Sequence, residues 1–115
     1  MIQIKNESVL REIALHEMHP VLMDLLAWFL DIAIDVFITG GHRPGDSGVH
    51  GQLPCRGIDL RDRIYTAGHA EVLVAAVNEH WQYDPSRPHL KCGLIHGEGM
   101  NSHIHLQVHP NTRKI

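Results

Sequence analysis

The chain has only two cysteines, Cys55 and Cys92, in 115 residues. Two thiols cannot build a disulfide scaffold, so the fold must rest on a hydrophobic core, and both are expected to be reduced. There is no excess of positive charge. Ten Lys and Arg against thirteen Asp and Glu leave a formal charge of −3. That balance argues against a nucleic-acid partner bound by counterion release. No long apolar run is present either. The most apolar stretch, 21–38, is interrupted by Asp24, Asp31 and Asp35, which suits a buried helix followed by a strand and excludes a membrane span. Residues 1–17 carry charges where an export signal needs an apolar segment, so a cytoplasmic location is expected. Repeats, low-complexity tracts and linkers are likewise lacking.

What remains is a chain long enough for a single domain, 1–115, with one core, expected to work as a monomer. Its outlier is histidine, with eleven scattered along the chain. Histidine titrates near neutrality and is the commonest metal ligand, so the excess points to chemistry.

Hydrophobic periodicity gives the elements. Residues 6–19 read as a helix capped by Asn6 or Ser8, with Val9, Leu10, Ile13 and Ala14 as its apolar stripe. Pro20 starts a second helix, to about Ala33, with Leu22, Leu25, Leu26, Phe29 and Ile32 facing the core. Val36–Thr39 is β-branched and aromatic and reads as a strand. A long loop rich in glycine and proline follows, and ordered loops of that length in small domains are usually functional. Ile58–Leu60 is a short strand, and 67–81 a third helix with Val72, Leu73, Ala76, Val77 and His80 in its stripe. The last third reads as a hairpin, Leu90–Ile95 and His103–Val108. Ile104, Leu106 and Val108 alternate with His103, His105 and Gln107, so period two puts both histidines on the face away from the core. By the same rule Asp59 points away from Ile58 and Leu60.

His50 in the loop, Asp59 on the short strand and His105 on the last strand are therefore candidate ligands. Two imidazoles and a carboxylate suit a catalytic zinc, which keeps three protein ligands and one open position. The alternative for any one histidine is a solvated or hydrogen-bonded residue. His42 is a competing ligand, and Cys55, between two of the candidates, is read as a bystander.

Ile38–Pro44 resembles the strand-to-arginine segment of the zinc D-Ala-D-Ala carboxypeptidase family, peptidase family M15. Ser47-Gly48-Val49-His50 with Arg56-Gly57-Ile58-Asp59-Leu60 is similar to its histidine–aspartate signature, and His103-Ile104-His105-Leu106 to its closing His-x-His strand. The three occur in the family's order. The resemblance implies an α+β fold of the hedgehog/DD-peptidase type, a small antiparallel sheet with helices packed on one side. It implies zinc held by His50, Asp59 and His105. It implies that Arg43, with Ser47 nearby, binds substrate, that Arg43 or His103 neutralises the oxyanion, and that the substrate is a peptidoglycan stem peptide. A phage-encoded lytic enzyme would fit the small size.

Two features depart from the family pattern. Eight residues, 51–58, separate His50 from Asp59, a longer spacer than the family's. Where the family places an acidic general base just before the last ligand, this chain has Ser102 and His103, so the base falls to Glu98, which is favoured, or to His103. The same departure leaves room for a non-catalytic zinc-binding, wall-peptide-binding virion or tail domain.

Overall fold

A computed structural model describes residues 1–115. Seven strands and three helices follow one another as β1 (Ile2–Ile4), α1 (Glu7–Ala14), α2 (Pro20–Ala33), β2 (Val36–Gly40), β3 (Gly57–Arg61), α3 (His69–His80), β4 (Trp81–Gln82), β5 (Gly93–His96), β6 (His103–Gln107) and β7 (Arg113–Lys114). Five of the strands form one sheet in the order β1-β2-β3-β6-β5, while β4 and β7 pair separately.

The fold is α+β, and the sheet is mixed rather than antiparallel. β1, absent from the sequence reading, runs parallel to β2 with Ile2 opposite Val36 and Ile4 opposite Ile38. The other pairings are antiparallel, as anticipated. One face of the sheet presents Val36, Ile38, Ile58, Leu60, Ile104 and Leu106 to the core. Leu22, Leu25 and Phe29 of α2 and Leu73, Val74 and Val77 of α3 cover that face. A continuous apolar cluster this size is the main favourable term for the fold.

Local chemistry sets the helix ends. Asn6 caps α1 by accepting from the Val9 N–H at 2.9 Å. The expected extension of this helix to residue 19 does not occur. Glu17 and His19 instead exchange backbone hydrogen bonds with Cys55, which pins residues 17–19 to the far end of the long loop. α2 starts as read, with Pro20 in its first turn. Its C-terminus passes through Ile34 at φ 72°, an unfavourable conformation for a β-branched residue. In α3 the core stripe is Leu73, Val74 and Val77. Val72 and His80, expected inside, face outward, as does Ile32 of α2.

Candidate metal centre

The sheet's other face carries the polar residues. Asp59 and His105 are direct cross-strand partners on β3 and β6, and the next pair on the same face is Arg61 and His103. Cross-strand neighbours on one face sit about 5 Å apart, so this register alone brings carboxylate and imidazole together. The long loop then folds back over the face. Arg43 donates its backbone N–H to the His50 carbonyl at 2.8 Å, and a single 3-10 turn, Val49–Gly51, seats the His50 ring beside Asp59. His50, Asp59 and His105 are all buried, and one ligand atom from each lies within 4.8 Å of the others. The three candidate ligands are therefore brought together.

The hydrogen bonds around the two rings decide what the centre can hold. His50 Nδ1 lies 2.7 Å from the Gly41 carbonyl oxygen, which only accepts, so Nδ1 carries the proton. On the other ring, Gln107 fixes the answer. Its amide nitrogen donates to the Lys91 carbonyl at 2.8 Å, so its oxygen must be the atom facing His105 Nε2 at 3.0 Å. That ring nitrogen is then the donor. Each neutral imidazole thus has its one proton on the outer nitrogen. The inner nitrogens, His50 Nε2 and His105 Nδ1, point lone pairs at the same Asp59 Oδ1, from 3.2 and 2.9 Å.

Two lone pairs and a carboxylate oxygen facing one another repel unless something positive joins them. The cradle takes one cation, or a proton on each ring. Gly41 and Gln107 serve as the outer hydrogen-bond partners that orient metal-binding histidines. The residues present therefore fit a metal ion.

The second carboxylate oxygen of Asp59 is held by Arg43, whose Nη2 donates at 2.6 Å. Gly40 stands opposite Asp59 at the β2 bulge, and a side chain there would press on both partners, its Cβ 3.2 Å from each. Arg43 makes no ion pair with Asp46, the acid nearest to it along the loop. Asp46 instead accepts from the Gly48 N–H within the loop. Burial works to raise the Asp59 carboxyl, but His105 and His50, once each ring carries its second proton and donates to it, outweigh that and hold it well below the usual carboxylate range. Asp59 is thus an anion.

A cavity of about 440 Å³ opens on the centre, with Arg43, His50, Asp59, His103 and His105 in its wall. His103 lies at its edge, Nε2 3.7 Å from Asp59 Oδ1, while its Nδ1–H donates to the Asn101 carbonyl at 3.1 Å. Its inner nitrogen is therefore a free base when the ring is neutral. Glu98 and Ser47 are both exposed, and neither belongs to the cavity wall. His42 is buried against His16, with ring centroids 4.4 Å apart and Nδ1 unpartnered, and stays out of the ligand group. Cys55 is also outside it. Its thiol donates to the Gly57 carbonyl at 3.3 Å, and burial pushes its pKa up.

The part played by Gln107 went unread in the sequence, while His96 was expected only at the rim of the site or as a solvated strand end. Gln107 lies two residues beyond His105, and the period of the strand placed it on the same face. His96, opposite His103 across the hairpin, stacks on His105 with centroids 5.2 Å apart. Desolvation, with the neighbouring His105 and His103 charges, lowers its pKa. No family model matches the chain, and neither a curated protein nor a solved structure matches it. No helix is long and apolar enough to cross a membrane.

Proposed function

We propose that this chain is a zinc-dependent hydrolase of amide bonds in peptidoglycan stem peptides, a member of the D-Ala-D-Ala carboxypeptidase type with the hedgehog/DD-peptidase fold. The observation that carries the reading is the pair of lone pairs meeting the Asp59 anion beside an open cavity. Two imidazoles and one carboxylate leave a fourth position free, the arrangement of catalytic rather than structural zinc sites. When bound, zinc lowers the pKa of water toward about 7 and polarises a carbonyl.

The chain's own residues supply the rest. His50, Asp59 and His105 hold the ion. Arg43, anchored on Asp59 Oδ2 and with its Nε 3.9 Å from Glu12 Oε1, belongs to the cavity wall, where its charge stabilises negative charge on the carbonyl oxygen. His103 takes the water's proton at Nε2 and returns it to the departing amine, its ring held by the Asn101 carbonyl. This gives His103 the task that the sequence favoured for Glu98, because Glu98 is not in the cavity wall.

The absence of any carboxylate other than Asp59 from that wall also favours a second reading, a non-catalytic zinc-binding domain that holds wall peptide. Release of amino groups from purified peptidoglycan separates the two. Zinc-loaded wild type should release them, His105→Ala should not, and His103→Gln should fall by at least a hundredfold. A fully loaded, inactive wild type overturns the hydrolase. The action on cell wall would follow delivery or lysis.

A further inference from the structure

Beyond His103 on the same open face lies a second cavity, of about 250 Å³, sharing Asp59 and His103 with the first. Its wall carries three cations, Lys5, Arg61 and Arg63. The topology assembles them. The parallel β1 ends beside β2, where the Lys5 N–H donates to the Ile38 carbonyl at 3.0 Å. Arg61 ends β3 directly opposite His103. Arg63 donates to the Met100 carbonyl at 3.2 Å, closing the cavity from the hairpin connection.

None of these cations has an acidic partner. The ion pairs of the molecule involve other residues, and the only carboxylate in the cavity wall, Asp59, is held by Arg43. The adjacent Asp62 accepts from the Ser102 hydroxyl. The Arg61 Cζ lies 4.1 Å from the centroid of the Phe37 ring, a cation–π contact that spends none of its N–H groups. Three like charges around one cavity raise its positive potential, and an entering anion relieves their repulsion. A single carboxylate would leave most of that charge uncompensated, whereas a doubly charged oxyanion brings several acceptor oxygens to several donors.

We infer that this cavity is a subsite for a doubly charged oxyanion, either a dicarboxylate or a phosphate monoester. Resting on the hydrolase reading, the inference also specifies its substrate. Arg61 follows Asp59 by two strand residues, about 7 Å. The charged group therefore lies within about two residues of the amide to be cut.

The test uses metal-free protein at pH 7.5 and low salt, titrated separately with inorganic phosphate, succinate and acetate. Backbone amide shifts of Thr39, Arg61, Arg63 and Asn101 locate the binding. Phosphate, succinate or both should saturate these shifts at concentrations at least tenfold below acetate, and the tighter of the two identifies the source. Arg61→Gln and Arg63→Gln should each weaken that binding at least fivefold. Equal affinity for all three anions, or unchanged affinity in both variants, overturns the subsite. Anion binding that persists in a protein inactive on peptidoglycan leaves the subsite standing and removes the hydrolase.

Discussion

Gln107 lies outside the ligand group, yet its replacement should weaken the metal centre. Gln107→Met keeps the length of the side chain and removes both polar ends. The His105 Nε2–H, now 3.0 Å from an amide oxygen, would lose its acceptor, and the Lys91 carbonyl its donor at 2.8 Å. The carbonyl belongs to an exposed residue and can turn to water. The ring is buried and cannot do so as easily. Without the acceptor, the tautomer with its lone pair aimed at Asp59 is no longer favoured, because the proton is as well placed on Nδ1, against the carboxylate. Loss of such an outer partner costs about 10–100-fold in metal affinity, or roughly 1.4–2.7 kcal/mol. Competition against a chromogenic zinc chelator at pH 7.5 measures it. The melting temperature in chelator controls for folding, and it should change little beside the change in affinity. Zinc affinity within twofold of the wild type would refute the tautomer argument and leave the two rings as ordinary partners of a buried carboxylate.

Gly51→Ala should lower zinc affinity without altering any ligand, since a Cβ at Gly51 would collide with the Asp46 carbonyl and displace the turn that seats His50; the same chelator competition reports it. Zinc should raise the melting temperature by the binding free energy of the folded state, chelator should reverse the gain, and the gain should shrink from pH 7.5 to 5.5 as protons compete for the two imidazoles. Ile34→Gly should stabilise the protein by about 1 kcal/mol in urea unfolding, because the residue holds φ 72° while its side chain is 72% exposed. A loss of stability would mean the Ile34 conformation carries no strain. Asp84 is held down to about 2 chiefly by the Arg87 hydrogen bond, so it favours the folded state above its ordinary 3.8 and that contribution disappears as pH falls toward 2. Asp84→Asn should accordingly be less stable than wild type at pH 6, with the gap closing between pH 4 and 2 in thermal melts.

Much of this centre could be read from the chain because strand period is a strong signal. Alternation through residues 103–108 put His105 on the polar face, and Ile58 and Leu60 did the same for Asp59. The same period carried Gln107 with them, but an uncharged amide gives no chemical hint until its partners are known. β1 has only three residues, Ile2–Ile4, and pairs in parallel with β2 across a helix pair, so no turn announces it. Val72 was expected inside because it is apolar, yet helix rotation is set by which ridge packs the sheet, and that ridge is Leu73, Val74 and Val77. Asp59 was read as outward facing. It does lie on the outer face, but the loop buries it, and how a glycine-rich loop drapes is a tertiary matter. The partner of Arg43 was obscured for that reason. Asp46 is three residues away, whereas Asp59 becomes its neighbour only after the loop folds back.

The division of the ligands between sheet and loop has a kinetic consequence. Asp59 and His105 face each other across paired central strands, and separating them means unzipping the core. His50 rides on a loop whose near end is tied to α1 by the His42 N–H to the Glu12 carbonyl and whose far end is tied to residues 17–19 through Cys55, and its ring is held within the loop by Gly41. An ion captured here would therefore lose His50 first, as the loop shifts, and the strand pair last. Residence time would follow how often the loop shifts with the ion in place, so the bonds tying the loop down would count alongside the ligands themselves.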